Sequence, residues 1–231
     1  ATGQPWATVL AGAPGFVTTT PTEMRIAALP DASDPTRAAL QPGAAIGLLG
    51  IEPATRRRNR MNGRVGEVSQ AGFTVEVVQS FGNCPKYIRS RQHTRAGRDR
   101  PVSRQIETAF PSPAARALME SSDTFFIATT SGLDHQDRSH GVDVSHRGGD
   151  PGFAVVQDTG KGTRLLVPDH AGNGFFNTLG NLALDPRAGL LFVDFAEGHL
   201  LQLVARGRVD WHDVETAAAT GADRTLVLDI L

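Results

Sequence analysis

The sequence predicts a mainly β chain built as two small barrels with few helices, and three observations carry that expectation. Short apolar runs rich in β-branched and aromatic residues are bounded by Gly, Pro and Asp. Helix signals are scarce. The third observation is an internal repeat. "WATVLAGAPGF" (residues 6–16) lies over "VDVSHRGGDPGF" (142–153), and "RIAALPD" (25–31) over "RLLVPDH" (164–170). "QPGAAIGLLGI" (41–51) lies over "DPRAGLLFVDF" (185–195), and "MNGRV" (61–65) over "ARGRV" (205–209). The anchors keep their order, and the separation from Pro42 to Gly63 equals that from Pro186 to Gly207.

Within the copies, residues 45–51, 73–78, 125–129, 190–195 and 200–205 are the clearest strands. Residues 190–195 and 199–209, joined by Ala196, Glu197 and Gly198, read as a hairpin. One helix is expected over 113–120, with Ser112 as N-cap and Pro113 at its first position. Another is expected over 174–184, where Phe175, Leu179 and Leu182 share a face suited to the core. The copies divide as 1–91 and 113–231, with a polar, basic linker over 92–112. The second copy opens with a strand and turn that the first lacks, the chain starts without Met, and it ends in the strand-like "TLVLDIL". The expectation is a piece of a longer protein whose first strand lies upstream.

Composition narrows the function classes. A chain of 231 residues is long enough for a real core, and its formal charge of -1 gives no general attraction to nucleic acid or anionic membrane. The basic clusters lack interleaved aromatics, so no nucleic-acid partner is expected. No apolar run reaches the roughly 18 residues that a bilayer span needs. The lone Cys84 cannot form an internal disulfide, which fits a cytoplasmic location. His135, His140 and His146 are loosely spaced without paired ligands, so no metal site is expected. A Gly-x-Ser-x-Gly elbow for a Ser-His-Asp hydrolase is missing. The sharpest charge feature is "RRRNR" (56–60), which as a strand would put Arg56, Arg58 and Arg60 on one face. That face is either a charged edge that discourages aggregation or a basic wall for a phosphate or acidic substrate.

The ordered set of a strand ending "LLVPD", a Gly/Asn turn, a helix ending before Asp-Pro, "GLLFVDF" and a strand ending Gly-Arg-Val resembles the pyridoxamine 5'-phosphate oxidase-like superfamily of flavin-binding split β-barrels. "SFGNCPKYIRSR" (80–91) is also similar to a Cys-x-Lys signature of members whose activity is uncharacterised. The resemblance implies two split β-barrel repeats joined as an intramolecular pseudo-dimer, with FMN between them where the family's homodimers hold it. It implies an FMN-binding oxidoreductase or flavin-based electron-transfer protein acting with a small-molecule substrate or redox partner. A deazaflavin is a less expected cofactor. The alternative is a haem-binding or docking module of a longer redox protein, and a degenerate scaffold is the third reading.

By position in the family pattern, Arg147 falls where the oxidase carries a phosphate-binding Lys, with Ser145 on the same strand. Gln202 matches a flavin-contacting Gln, with Arg58 in its place in the first copy, and Gly172, Asn173 and Gly174 replace the oxidase's phosphate clamp. Glycines before a helix let backbone N–H groups approach an anion. The first copy has Asp34 and Pro35 at that place, and a carboxylate there repels phosphate. The phosphate side is therefore expected on the second copy, with Lys86, Tyr87 and Arg89 closing over it. No residue is assigned as a catalytic base.

Overall fold

Strand pairing in the computed structural model, which describes residues 3–82, 84–92, 103–132, 140–172 and 174–231, separates the chain into two antiparallel sheets. The first holds β1 (Val17–Thr19), β2 (Glu23–Ile26), β3 (Ala45–Glu52), β4 (Arg57–Ser69) and β5 (Gly72–Gly82), in the order β1-β2-β5-β4-β3. The second holds β6 (Thr124–Thr130), β7 (Val142–Gly148), β8 (Val155–Asp158), β9 (Thr163–Asp169), β10 (Arg187–Val193), β11 (Leu200–Asp210) and β12 (Arg224–Ile230). Its order is β7-β6-β10-β11-β12-β9-β8. From the far edge, β8-β9-β12-β11-β10 repeats the winding of β1-β2-β5-β4-β3, so the duplication in sequence is also a duplication in topology. The chain is mainly β, a split-barrel type of pseudo-dimer with a few short helices.

Each sheet buries its own apolar face. In the second, Phe125, Leu190, Phe192, Leu226 and Leu228 are fully enclosed, and the Phe125 ring stacks on Phe192 at 5.1 Å and Phe153 at 5.8 Å. Helix α2 (Pro113–Ser121), which follows the short α1 (Pro35–Ala39) of the first copy, lays Ala115 and Met119 on this core. The Ser112 hydroxyl caps α2 by accepting from Ala115 N at 3.2 Å. The first sheet has a smaller core around Ile26, Met61, Val65, Phe73 and Val75. The hairpin between β10 and β11 closes as expected, with the Asp194 carboxylate accepting from the N–H groups of Ala196 and Glu197.

Two expectations need correction. Helix α3 is Asn177–Leu184, three residues shorter at its start than the sequence suggests, because Gly174 takes a left-handed turn (φ +77) that delays helical geometry. Leu179 and Leu182 are buried as expected, but Phe175 is 61% exposed and turns towards the Phe81 ring at 5.9 Å. The basic run also differs. Arg56 sits in a left-handed turn after the short 3-10 segment Pro53–Thr55, and the strand begins at Arg57. That strand, β4, is paired on both sides, by β3 and β5, so it is no edge strand. Arg58 and Arg60 do share one face, and both reach residues of the second copy, His146 and Asp143.

The copies cross closely. A Cβ added at Gly47 of β3 would lie 3.2 Å from Val144 N of β7, and one at Gly189 of β10 would lie 2.3 Å from Pro5 O and 2.9 Å from Trp6 Cα. Ala7 packs with Ala128 and Leu191 of the second sheet. Among the described residues no helix is long and apolar enough to cross a membrane.

The backbone beside Gly189 leaves no room for a methyl group. Gly189→Ala is expected to cost about 1–3 kcal/mol in overpacking, read as a lower urea midpoint; an unchanged midpoint would contradict the close crossing.

Candidate functional site

A cleft of about 320 Å³ opens between the copies. The first copy supplies Arg58 and Arg60 from β4, then Cys84, Lys86 and Tyr87 from the segment after β5. The second supplies Ser145, His146 and Arg147 from β7, Asp169 from the end of β9, the turn at Gly172 and Gly174, and Arg224 from the start of β12. Strand alternation explains the first pair: Arg58 and Arg60 are two residues apart and project together.

The segment after β5 is fastened to the second copy. Ile88 is buried, Arg89 Nε donates to Gly149 O at 3.1 Å, and Arg89 also pairs with Asp150. Arg91 pairs with Asp123 and stacks over the Phe195 ring at 4.1 Å. Tyr87, in the left-handed region at φ 66, brings its carbonyl oxygen to 2.3 Å from where a Cβ on Gly148 would stand. The Tyr87 ring stacks on His170 at 6.0 Å, and Lys86 Nζ reaches Ala171 O at 3.4 Å.

The lining is electropositive, with Arg58, Arg60, Lys86, Arg147 and Arg224 against the carboxylates Asp169 and Asp223. Arg60, only 7% exposed, is paired from behind with Asp143, its Nη1 lying 3.2 Å from Oδ2. Asp143 also accepts from Ser145 Oγ at 2.9 Å, and Ser145 Oγ in turn accepts from Thr178 Oγ1 at 2.8 Å. Asp169 accepts from Arg147 and lies 3.1 Å from Arg224 Nε, off the hydrogen-bonding direction. The Arg224 guanidinium sits over the rings of Phe176 at 5.1 Å and Trp211 at 5.3 Å. Among the described residues, four buried side-chain nitrogens have no hydrogen-bond partner: Nε of Arg58, Arg60, Arg147 and Arg224. All four belong to residues of the cleft wall.

Arg58 Nη1 donates to His146 Nδ1 at 3.0 Å. Burial, then the neighbouring Arg60, pushes the Arg58 guanidinium down to about 10, so it stays charged at neutral pH. Burial, then Arg58, Arg147 and Arg91, holds the His146 imidazole down to about 3. The ring is therefore neutral and its Nδ1 is free to accept.

Of the residues expected from the sequence, Arg58, Lys86, Ser145, Arg147, Gly172 and Gly174 come together in this cleft. Asn173 lies outside the described residues, as does His135. Gln202 does not join them. Its Nε2 donates to Ala7 O at 2.8 Å and to Asp34 Oδ2 at 3.1 Å, which places it against the entrance of α1. The reason is the crossing: the long strand of one copy faces the helix entrance of the other, so Arg58, not Gln202, meets the turn before α3. Arg224 and His146 escape sequence reasoning as parts of the wall. Arg224 follows Asp223 in sequence with no motif around it, and His146 draws notice only as a metal candidate. A larger groove of about 830 Å³ shares Gly174, Phe175 and Phe176 with the cleft and carries the amides of Asn62, Gln79, Asn177 and Asn181.

No protein-family model matches the chain, and no curated protein matches it. Among solved structures, HupZ of Group A Streptococcus aligns at 10% identity and a TM-score of 0.37, covering 50% of this chain and 86% of that one. A protein provisionally named a pyridoxamine 5'-phosphate oxidase, from Lactobacillus delbrueckii, aligns at 17% identity and a TM-score of 0.40, covering 54% of this chain and 93% of that one. At such scores these likenesses carry no argument about the site, which stands on its own geometry.

His146 gives a pH signature. It binds a proton in the unfolded chain near 6.5 but in the folded one only near 3, so acidification between those values favours unfolding. Its share of the stability loss has a slope of at most ~1.4 kcal/mol per pH unit. His146→Gln, which keeps an acceptor for Arg58, is expected to flatten urea-unfolding stability between pH 6.5 and 3 relative to wild type. Parallel pH curves for the two proteins would count against a buried neutral imidazole.

Proposed function

We propose that the cleft binds FMN, with the phosphate among Arg58, Arg147 and Arg224 beside Gly172 and Gly174, and that the chain serves as a flavin-dependent oxidoreductase or electron-transfer protein. The observation that carries this reading is the gathering of Arg58, Arg60 and Lys86 from the first copy with Arg147 and Arg224 from the second on the wall of one cleft. A phosphate offers several acceptor oxygens to arginines in the geometry they favour. Ser145 and Thr178 lie on the same wall, their hydroxyl protons given to Asp143 and to Ser145. Tyr87, Phe175 and Phe176 give the mouth aromatic faces suited to a planar ring, and the adjoining groove offers amides for its polar edge or for a small-molecule substrate.

A bound flavin would supply hydride or electron transfer, while the chain orients it and limits water. Lys86 and Tyr87, held down through Ile88 and Arg89, wall one side. Asp169 fixes the directions of Arg147 and Arg224 without neutralising the whole cluster. A deazaflavin phosphate would use the same anion contacts. The second reading is haem, favoured by two imidazoles in the wall, His146 and His170, and by arginines that propionates would also satisfy.

The test is an absorption spectrum of the purified protein followed by FMN titration with fluorescence quenching. Saturable quenching by FMN is expected, and Arg58→Gln should weaken it about 10-fold or more, the scale of one charge-assisted hydrogen bond. The absence of both flavin absorption and quenching would sink the proposal, and a Soret band would turn it to haem.

A further inference from the structure

The duplication places a counterpart of the cleft on the other side of the pseudo-dimer, and its residues can be matched one by one. Arg58 and Gln202 each stand five residues before the glycine of the Gly-Arg-Val ending. Ser145 and Thr8 each stand six residues before Pro-Gly-Phe, and the same register sets Leu10 where Arg147 is. Arg60 corresponds to Val204. The counterpart has thus exchanged three arginines for Gln202, Leu10 and Val204 while keeping a hydroxyl at Thr8.

What occupies its centre is a carboxylate of the chain itself. Asp34 Oδ2 accepts from Gln202 Nε2 at 3.1 Å and from Thr8 Oγ1. Its Oδ1 accepts from Thr36 N at 2.8 Å and Thr36 Oγ1 at 2.6 Å. The strand residue, the hydroxyl and the helix-entry threonine that surround open space in the cleft here converge on Asp34.

We infer that Asp34 is an internal anion that fills the second ligand position, so that each chain takes one anionic ligand, at the Arg58 side only. The ligand half of this inference rests on the function proposed above. The filled counterpart follows from Asp34's own contacts. A carboxylate with four donors around it satisfies that side without a cofactor, and its charge excludes a phosphate.

Two measurements decide it. Calorimetric titration with FMN should give one site per chain, and Arg58→Gln should weaken all of that binding, leaving no fraction at wild-type affinity. Two sites in wild type, or half of the binding left at wild-type affinity in the variant, would overturn the inference. The second measurement needs no flavin: Asp34→Ala and Gln202→Leu should each lower the melting temperature, and the double variant should lose clearly less than the sum, because both act through one contact. Strictly additive losses would overturn the place of Asp34 at the centre of the counterpart. If wild type binds no FMN at all, the proposed cofactor fails and the double-variant comparison alone decides this point.

Discussion

The buried ion pair between Arg60 on β4 and Asp143 on β7 is the contact on which the arrangement of the two copies turns. Neither side chain reaches water appreciably, so each needs the other, and removing either partner would leave an uncompensated charge in the seam. The pair also fixes more than itself. Asp143 holds Ser145, Ser145 receives Thr178, and Thr178 lies in the first turn of α3, so one carboxylate sets β4, β7 and the helix entrance in mutual register. The apolar contacts of Ala7, Ala128 and Leu191 press the copies together without that directional demand. Hydrophobic burial accounts for adhesion, and the charged network for alignment.

Alignment matters because the cleft is assembled from both copies. Arg58 and Arg60 come on one strand of the first sheet, Arg147 and Arg224 on two strands of the second, and the first pair would miss the second if the sheets slid past each other. Glycines make the crossing possible: Gly47 and Gly189 are points where backbone meets backbone across the seam. The two copies are alike in winding yet unequal in charge. The second adds β6 and β7, and β7 carries Ser145, His146 and Arg147 into the wall. The inequality of the two sides lies in side chains at matched positions, Ser145 and Arg147 on one side and Thr8 and Leu10 on the other.

Much of this is legible in the sequence where the signal is local or periodic. Ser112 before Pro113 announces α2, and Ala196-Glu197-Gly198 announces a hairpin. The equal spacing of Pro42–Gly63 and Pro186–Gly207 announces two equivalent strand pairs. Arg58 is picked out by its place opposite Gln202 in the repeat, Lys86 by the segment after the first copy, and Ser145 and Arg147 only by the family resemblance; all four line the cleft. What is not legible depends on pairing and crossing. Nothing local distinguishes β4 as an interior strand, because strand order is decided by distant partners. Gln202 goes to the wrong helix for the same reason: an alignment of one copy on the other shows equivalence, but not which copy a side chain faces. The start of α3 is hidden because Gly174 has the composition of a helix cap while its left-handed backbone belongs to the preceding turn. Arg224 has no periodic signal at all, and only the fold brings it over Phe176 and Trp211.

The electrostatics of the cleft tie occupancy to folding. Burial and the crowding of Arg60 and Arg147 depress the Arg58 guanidinium to about 10, and burial with Arg58, Arg147 and Arg91 keeps His146 neutral, so the fold tolerates mutual repulsion at its own seam. An anion entering this space would relieve that repulsion, binding the folded pseudo-dimer and having no comparable site on the unfolded chain. Affinity and stability then draw on the same interaction. The counterpart side shows the other solution to the same topology, in which the anion is built into the chain as Asp34 and nothing need be bound to satisfy the wall. A duplicated barrel that keeps one solution on each side can retain a ligand position without requiring two ligands to hold the fold together.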